Sequence, residues 1–132
     1  MAEVLELTPE TYDKTVSQDS IVLVDAWAAW CGACSKFAPV FEKAAAQYPQ
    51  HVFAKLDTQA HMGLVNELSI VHIPTLLIYR EGILLYREAG SPDAAALADL
   101  ISQVQKLDMD MVRADLAAEQ ASETAAEDGQ DS

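Results

Sequence analysis

Residues 21–34 have the sequence IVLVDAWAAWCGAC, and this stretch decides the fold. Its first seven residues are almost all apolar, which predicts a strand buried on both faces in the middle of a sheet. Beyond it, apolar side chains recur at steps of three and four, which predicts a helix. These side chains are Phe37, Val40, Phe41, Ala44 and Tyr48. A strand therefore leads directly into a helix, and two cysteines lie where the helix begins.

Cys31 and Cys34 are the only cysteines of the chain. The N-terminus of a helix has unpaired N–H groups and a partial positive charge, so it favours the thiolate of Cys31. Cys34 lies one turn later, is expected to sit deeper, and can attack a mixed disulfide formed at Cys31. The spacing indicates dithiol–disulfide exchange. The alternatives are two core thiols or half of a metal site, which needs a second chain because two cysteines cannot complete four-coordinate zinc.

The composition of the whole chain narrows the class of protein. Its 132 residues, 51% of them apolar, suit a single core. No apolar run approaches the roughly 20 residues that span a bilayer, and the N-terminus lacks the features of a secretory signal, so we expect a cytoplasmic protein. The two cysteines are too close to form a disulfide framework. The net charge of −13 argues against nucleic acid or an anionic membrane as a partner.

The rest of the pattern predicts a mixed sheet with helices on both faces. Before residue 21 we expect a short edge strand at 4–7 and a helix that is opened by Thr8-Pro9, ends near Ser17 and has Tyr12 and Val16 facing inward. After the helix that follows the cysteines we expect a strand at 52–57 and a short helix at 64–68. A hairpin of strands 75–80 and 83–87 and a helix from Ser91-Pro92 to Leu107 complete the pattern. The helix between strands 21–27 and 52–57 implies a parallel, right-handed crossover.

The composition changes at Asp108. Residues 108–132 contain eight acidic residues and one basic residue, a net charge of −7 out of the chain's −13. Met109, Val112 and Leu116 share helical spacing, which predicts a helix to about Ala121, and we expect the last ten residues to be disordered. The prediction is therefore a domain at 1–107 followed by an acidic extension at 108–132.

From about residue 4 to residue 107 the chain resembles the thioredoxin family. The resemblance is carried by residues 24–34 (VDAWAAWCGAC), Pro39, residues 54–57 (AKLD), residues 73–76 (IPTL) and Gly82. A lone Cys-x-x-Cys is a weak signal, because zinc and iron–sulfur proteins also use it, but the preceding tryptophan and the Ile-Pro-Thr at a matching distance make it specific. The family implies a three-layer α/β sandwich with the dithiol at a strand-to-helix junction.

The resemblance also implies an activity. It predicts a monomeric protein-disulfide reductase with a redox-active Cys31–Cys34 disulfide and no bound cofactor, supplied with electrons from NADPH by a thioredoxin reductase and acting on disulfide-bearing proteins. By resemblance, Cys31 is the attacking thiol and Cys34 the resolving one. Asp25 matches the family's buried acid, whose burial should raise its pKa and suit it to accept the proton of Cys34. Lys55 matches the partner lysine, whose charge opposes that shift. The alternative for Asp25 is a structural, hydrogen-bonded aspartate.

A substrate-binding surface follows from the same resemblance. Pro74 matches the family's cis proline, which leaves the backbone of Ile73 free to pair with an extended substrate segment. The alternative is a trans proline that opens a strand. We expect Trp27 to be a core residue and Trp30 to face the substrate. The other residues predicted to line this surface are Gly32, Ala33 and His72.

Three features depart from the family pattern. Ala33 replaces the usual proline and frees an N–H that is expected to bond a cysteine sulfur, which would stabilise the thiolate and make the protein a weaker reductant. His72 replaces a glycine, and is either a pH-sensitive neighbour of Cys31 or a passive rim residue. The acidic extension is the third departure. Two other functions therefore stay open: an oxidant or isomerase of the same fold, or a binding module that acts through its acidic tail.

Overall fold

The computed structural model describes residues 3–130, in which five strands form one mixed sheet. In chain order the elements are β1 (Val4–Glu6), α1 (Tyr12–Val16), β2 (Ile21–Trp27), α2 (Gly32–Gln47), β3 (Val52–Asp57), α3 (Met62–Glu67), β4 (Thr75–Arg80), β5 (Ile83–Ala89), α4 (Ala94–Lys106) and α5 (Met109–Gln130). The strand order is β1-β3-β2-β4-β5. Strands β1, β3 and β2 are parallel to one another, whereas β4 runs antiparallel to its neighbours β2 and β5. The predicted α/β fold is confirmed.

Two hydrophobic clusters, one on each face of the sheet, explain the unbroken apolar run of β2. Val22, Val24 and Ala26 pack on one face with residues of α1 and α3. Ile21 and Leu23 pack on the other face with residues of α2 and α4. Six of the seven residues of β2 are buried, so the central strand is covered on both sides as predicted. Asp25 lies two residues after Leu23 and four after Ile21, so it is on the same face of β2 as they are, the face covered by α2.

Two helices begin later than the sequence predicts, because their N-caps are Thr11 and Asp93 and not Thr8 and Ser91. Thr8 and Thr11 instead form a turn, in which Thr11 Oγ1 accepts from the N–H of Thr8 at 2.9 Å, and α1 follows it. At α4 the cap is Asp93, whose Oδ1 accepts from the N–H of Ala96 at 2.8 Å, so Ser91-Pro92 lies outside the helix. An ionised aspartate is a strong N-cap because it satisfies an unpaired helix donor.

The acidic extension forms helix α5, which continues to Gln130 and passes both the end predicted near Ala121 and the first residues predicted to be disordered. Alanine, glutamate and glutamine make up 11 of the 22 residues of α5, and these are strong helix formers. Residues 131 and 132, which also belong to the segment predicted to be disordered, lie outside the described residues. None of the helices in the described part of the chain is both long and apolar enough to cross a membrane.

The first turns of α5 are attached to the end of the sheet that lies far from the cysteines. Met109 is 6% exposed, and Arg113 forms an ion pair with Glu81 in the β4–β5 turn. Arg80, at the same end of β4, donates to the carbonyl of Val104 at 2.8 Å and so holds the end of α4. Arg80 pairs in register with Ile21 at the start of β2, whereas the cysteines follow the end of that strand.

Candidate active site

The two cysteines form a disulfide at the start of α2. Cys31 is the N-cap, and its Sγ accepts a hydrogen bond from the N–H of Cys34 at 3.1 Å. Their Cα atoms are 5.2 Å apart, a usual separation for a disulfide. Cys31 is 6% exposed and Cys34 is 3% exposed, so the two differ little in burial. In this disulfide form the donor to the sulfur is the N–H of Cys34 and not that of Ala33.

A cavity of about 140 Å³ distinguishes the two thiols, because Cys34 lines it and Cys31 does not. The same cavity is lined by Asp25 from β2 and by Lys55 from β3, and its rim includes the exposed Glu42 of α2. The cavity is therefore shared by one particular cysteine, a buried carboxyl group and an exposed residue of α2. Asp25 and Cys34 come together because β2 ends directly beneath the first turn of α2.

Asp25 is only 4% exposed, and burial raises its pKa from 3.8 to about 7, because a carboxylate loses hydration inside the protein. The positive charge of Lys55 acts in the opposite direction. Asp25 Oδ1 is buried and has no hydrogen-bond partner among the described residues. The direction of both effects is the one predicted from the sequence. A carboxyl with this pKa can accept and release a proton near neutral pH.

The side chain of Lys55 contacts a residue that sequence analysis did not single out. Its Nζ lies 3.6 Å from Oε1 of Glu6 in β1 and 5.5 Å from the ring centroid of Trp27. In the sheet, Glu6 pairs in register with Lys55, and Lys55 pairs with Asp25. Glu6 was visible in the sequence only as a polar residue of a short edge strand. Its position beside Lys55 depends on strand order, which the sequence pattern did not give.

The Ile73–Pro74 peptide bond is cis and lies against the disulfide. The carbonyl oxygen of Ile73 is 4.0 Å from Sγ of Cys31, and Pro74 is buried. His72, one residue earlier, is exposed, and its carbonyl accepts from the hydroxyl of Thr75. Ile73 thus lies beside Sγ of Cys31, while His72 is exposed to solvent.

An exposed apolar surface adjoins the disulfide. Trp30 is 68% exposed, and it lines a pocket of about 200 Å³ together with Met62, Val71 and Ile73. Sequence analysis selected Trp30 and Ile73 but missed Met62 and Val71, because neither belongs to a motif. Gly32 and Ala33 are exposed in the first turn of α2. Within the described residues, no group of three or more histidine, cysteine and carboxylate side chains is placed to hold a metal ion.

Comparisons with known proteins agree with this geometry. The thioredoxin family model matches residues 3–122. A Streptomyces coelicolor protein that bears the provisional name thioredoxin 2 is 47% identical over 121 residues, covering 92% of this chain and 90% of the relative. A bifunctional thioredoxin reductase/thioredoxin of Mycobacterium leprae is 37% identical over 102 residues, covering 76% of this chain and 22% of that protein.

The solved structure of a mutant thioredoxin from Halobacterium salinarum is similar in fold, with a TM-score of 0.74 and 30% identity over 81% of this chain and 95% of that chain. The family match includes the Cys-x-x-Cys pair, the mixed sheet and the helix that begins at Cys31. The chain therefore belongs to the thioredoxin family and is a thiol–disulfide oxidoreductase that reduces protein disulfides.

Proposed function

We propose that Cys31 is the attacking thiol and Cys34 the resolving thiol of this reduction. The thiolate of Cys31 attacks one sulfur of a substrate disulfide, forms a mixed disulfide and releases the first substrate thiol after it gains a proton. Cys34 then loses its proton and attacks Sγ of Cys31. The Cys31–Cys34 bond forms, the second substrate thiol leaves, and two electrons have passed from the dithiol to the substrate.

The observation that carries this assignment is the cavity shared by Cys34 and Asp25. We propose that Asp25 accepts the proton of Cys34 as this thiol attacks, because its pKa of about 7 matches the working range of a general base near neutral pH. Lys55 modulates this transfer, since its charge lowers the pKa of Asp25. The same cavity gives the proton a route to solvent past the exposed side chain of Glu42.

The substrate is proposed to bind across the cis proline. An extended segment pairs with the backbone of Ile73, which brings its disulfide to Cys31. Trp30 supplies an exposed aromatic face beside that segment. Gly32 and Ala33 are exposed and have no bulky side chain to block this segment, and the exposed His72 is proposed to contact it. The exposed apolar surface favours substrates whose cysteine is flanked by apolar residues.

Thioredoxin-family proteins carry no prosthetic cofactor and work with disulfide substrates and thioredoxin reductase. We propose that NADPH supplies the electrons through such a reductase. The Mycobacterium leprae relative supports this pairing, because its name joins a thioredoxin reductase and a thioredoxin. We further propose that the protein is cytoplasmic and acts as a monomer. Consumption of NADPH in the presence of a purified thioredoxin reductase tests the source of the electrons. Light scattering tests the monomeric state, and cell fractionation tests the cytoplasmic location.

Trapping of the mixed disulfide tests the roles of the two cysteines. The reduced Cys34→Ser variant should accumulate a covalent adduct with a disulfide-bonded protein, visible by mass spectrometry and removed by excess thiol reductant. The matched Cys31→Ser variant should form no such adduct under the same conditions. An adduct formed only by Cys31→Ser would reverse the two roles. The absence of an adduct with either variant would contradict the covalent mechanism.

Stopped-flow measurement of the resolving step tests the role of Asp25. The rate of mixed-disulfide resolution in the native protein should rise with pH around the pKa of Asp25. Asp25→Asn should remove this rise and slow the step at neutral pH by about 100-fold, the lower end of general base contributions. A pH profile identical to that of the native protein would contradict the role of Asp25.

A further inference from the structure

Three ionisable residues form one row across the sheet. Glu6 in β1, Lys55 in β3 and Asp25 in β2 are neighbours in the parallel strand register. Residues in register on neighbouring strands point to the same face, and here that face is the one covered by α2. Lys55 therefore has a carboxyl group on each side, one almost fully buried and one mostly exposed.

The structure places the ammonium of Lys55 on the Glu6 side of this row. Its Nζ lies 3.6 Å from Oε1 of Glu6, and the side chain of Glu6 is 78% exposed. Lys55 lines the cavity of Asp25 and also a second cavity of about 150 Å³ that includes Glu6 and Trp27. Lysine has a long, flexible side chain, and Lys55 interacts electrostatically with both carboxyl groups, so Glu6 and the ionised form of Asp25 compete for the same positive charge.

We propose that Glu6 is a positioning residue that holds the Lys55 ammonium away from Asp25 and thereby keeps Asp25 able to accept the proton of Cys34 near neutral pH. The inference rests on the proposed role of Asp25 in the resolving step. Glu6 does not touch the reacting atoms, and it acts only by setting where the charge of Lys55 lies. Loss of Glu6 frees Lys55 to approach Asp25, which favours the carboxylate and lowers its pKa.

The other titratable groups around the row are few. Glu42 of α2 lines the Asp25 cavity beside Cys34, and Asp57 and His61 line the cavity that contains Glu6. Oδ1 of Asp57 already accepts from the N–H groups of Gln59 and Ala60, at 3.0 and 3.2 Å. Among the titratable groups of the described residues, Glu6 is the group that forms an ion pair with Lys55.

The pKa of Asp25 in the Glu6→Gln variant tests this inference. It is measured by carbon NMR of the labelled aspartate carboxyl in the full-length protein, alongside the pH profile of the resolving step. Exposed ion pairs have modest strength, so we expect both the NMR pKa and the midpoint of the profile to fall by about 0.2 to 0.7 pH unit. Glu10→Gln removes an equal charge from an exposed site outside the row and should leave both unchanged.

A double-mutant cycle separates an effect through Lys55 from a direct effect of the Glu6 charge. In a Lys55→Met background, Glu6→Gln should produce no further change in the pKa of Asp25. An unchanged pKa in Glu6→Gln, or an equal shift with and without Lys55, would overturn the role of Glu6. Failure of the proposed function has a different signature, because Asp25→Asn would then leave the pH profile of the resolving step intact.

Discussion

Asp25 in β2 and Cys34 in the first turn of α2 line the same cavity, although Cys31 of the same disulfide does not. The asymmetry arises because the helix turns Cys34 back over the end of the strand, while Cys31 caps the helix and lies against Ile73. Cys31 thus lies against Ile73, whereas Cys34 shares a cavity with a buried carboxyl group. Two chemically identical side chains therefore have different surroundings, and the proposed difference in their roles rests on this.

Asp25 should lower the stability of the disulfide form as pH rises. Its folded pKa of about 7 exceeds the unfolded value of 3.8, so between these values the unfolded chain loses its proton first. The free energy of unfolding should therefore fall from about pH 4 to about pH 7, by up to about 4 kcal/mol, and stay level above pH 7. Urea unfolding across this range should show the fall in the native protein and not in Asp25→Asn.

Ala33→Pro should make the protein a stronger reductant. In the disulfide form the N–H of Cys34 donates to Sγ of Cys31, and we expect the N–H of Ala33 to become a second donor once Cys31 is a thiolate. Proline at position 33 removes this second N–H and keeps the first. A charge-assisted hydrogen bond of about 1.5 to 3 kcal/mol corresponds to a potential lower by roughly 30 to 60 mV. Equilibration of the Cys31–Cys34 pair with a buffered thiol couple measures the reduction potential of both proteins.

The same measurement distinguishes a protein that reduces disulfides from one that oxidises or isomerises them. As general reference values, the reduction potential is about −270 mV for thioredoxin and about −180 mV for protein disulfide isomerase. We expect the native protein to lie closer to the first value. A native potential as low as that of Ala33→Pro would contradict the proposed effect of Ala33.

Trp30→Ala should weaken substrate binding without affecting the fold. Trp30 is 68% exposed, so its removal should change the free energy of unfolding by less than about 0.5 kcal/mol. Loss of an aromatic interface contact should raise KM for a disulfide-bonded protein by about fivefold to tenfold, with little change in kcat. Leu84→Ala, at an exposed apolar site of β5 near the opposite end of the sheet, is the matched control and should leave KM unchanged.

Met109→Ala should destabilise the protein by about 2 kcal/mol or more, because this methionine at the start of α5 is 6% exposed and its truncation leaves a cavity. Met111→Ala, two residues later and 63% exposed, should change stability by less than about 0.5 kcal/mol. Disulfide reduction should be unaffected in both, because α5 is attached far from the cysteines. Equal stability of the two variants would indicate that the acidic extension does not contribute to the stability of the domain.

Residues with a strong local pattern were predicted well. The run at 21–27 needed no tertiary information, because burial on both faces requires continuous apolar residues. The starts of α1 and α4 were less predictable. Thr8 and Ser91 are both good caps beside a proline, yet Thr11 and Asp93 took that position, and such choices between neighbouring caps depend on loop packing. The length of α5 followed from helix propensity, which the acidic composition had obscured.

The sequence by itself determined the chemistry of this protein, because two cysteines at the junction of a strand and a helix have a thiolate-stabilising environment wherever the rest of the chain lies. Only the tertiary structure revealed the groups near that dithiol that belong to no motif, which are Glu6, Met62 and Val71. Strand order placed Glu6, Lys55 and Asp25 in one row, and chain folding brought Ile73 and the pocket of Met62 and Val71 to the disulfide. These relationships join residues far apart in sequence, and pKa and substrate contact depend on distance in space.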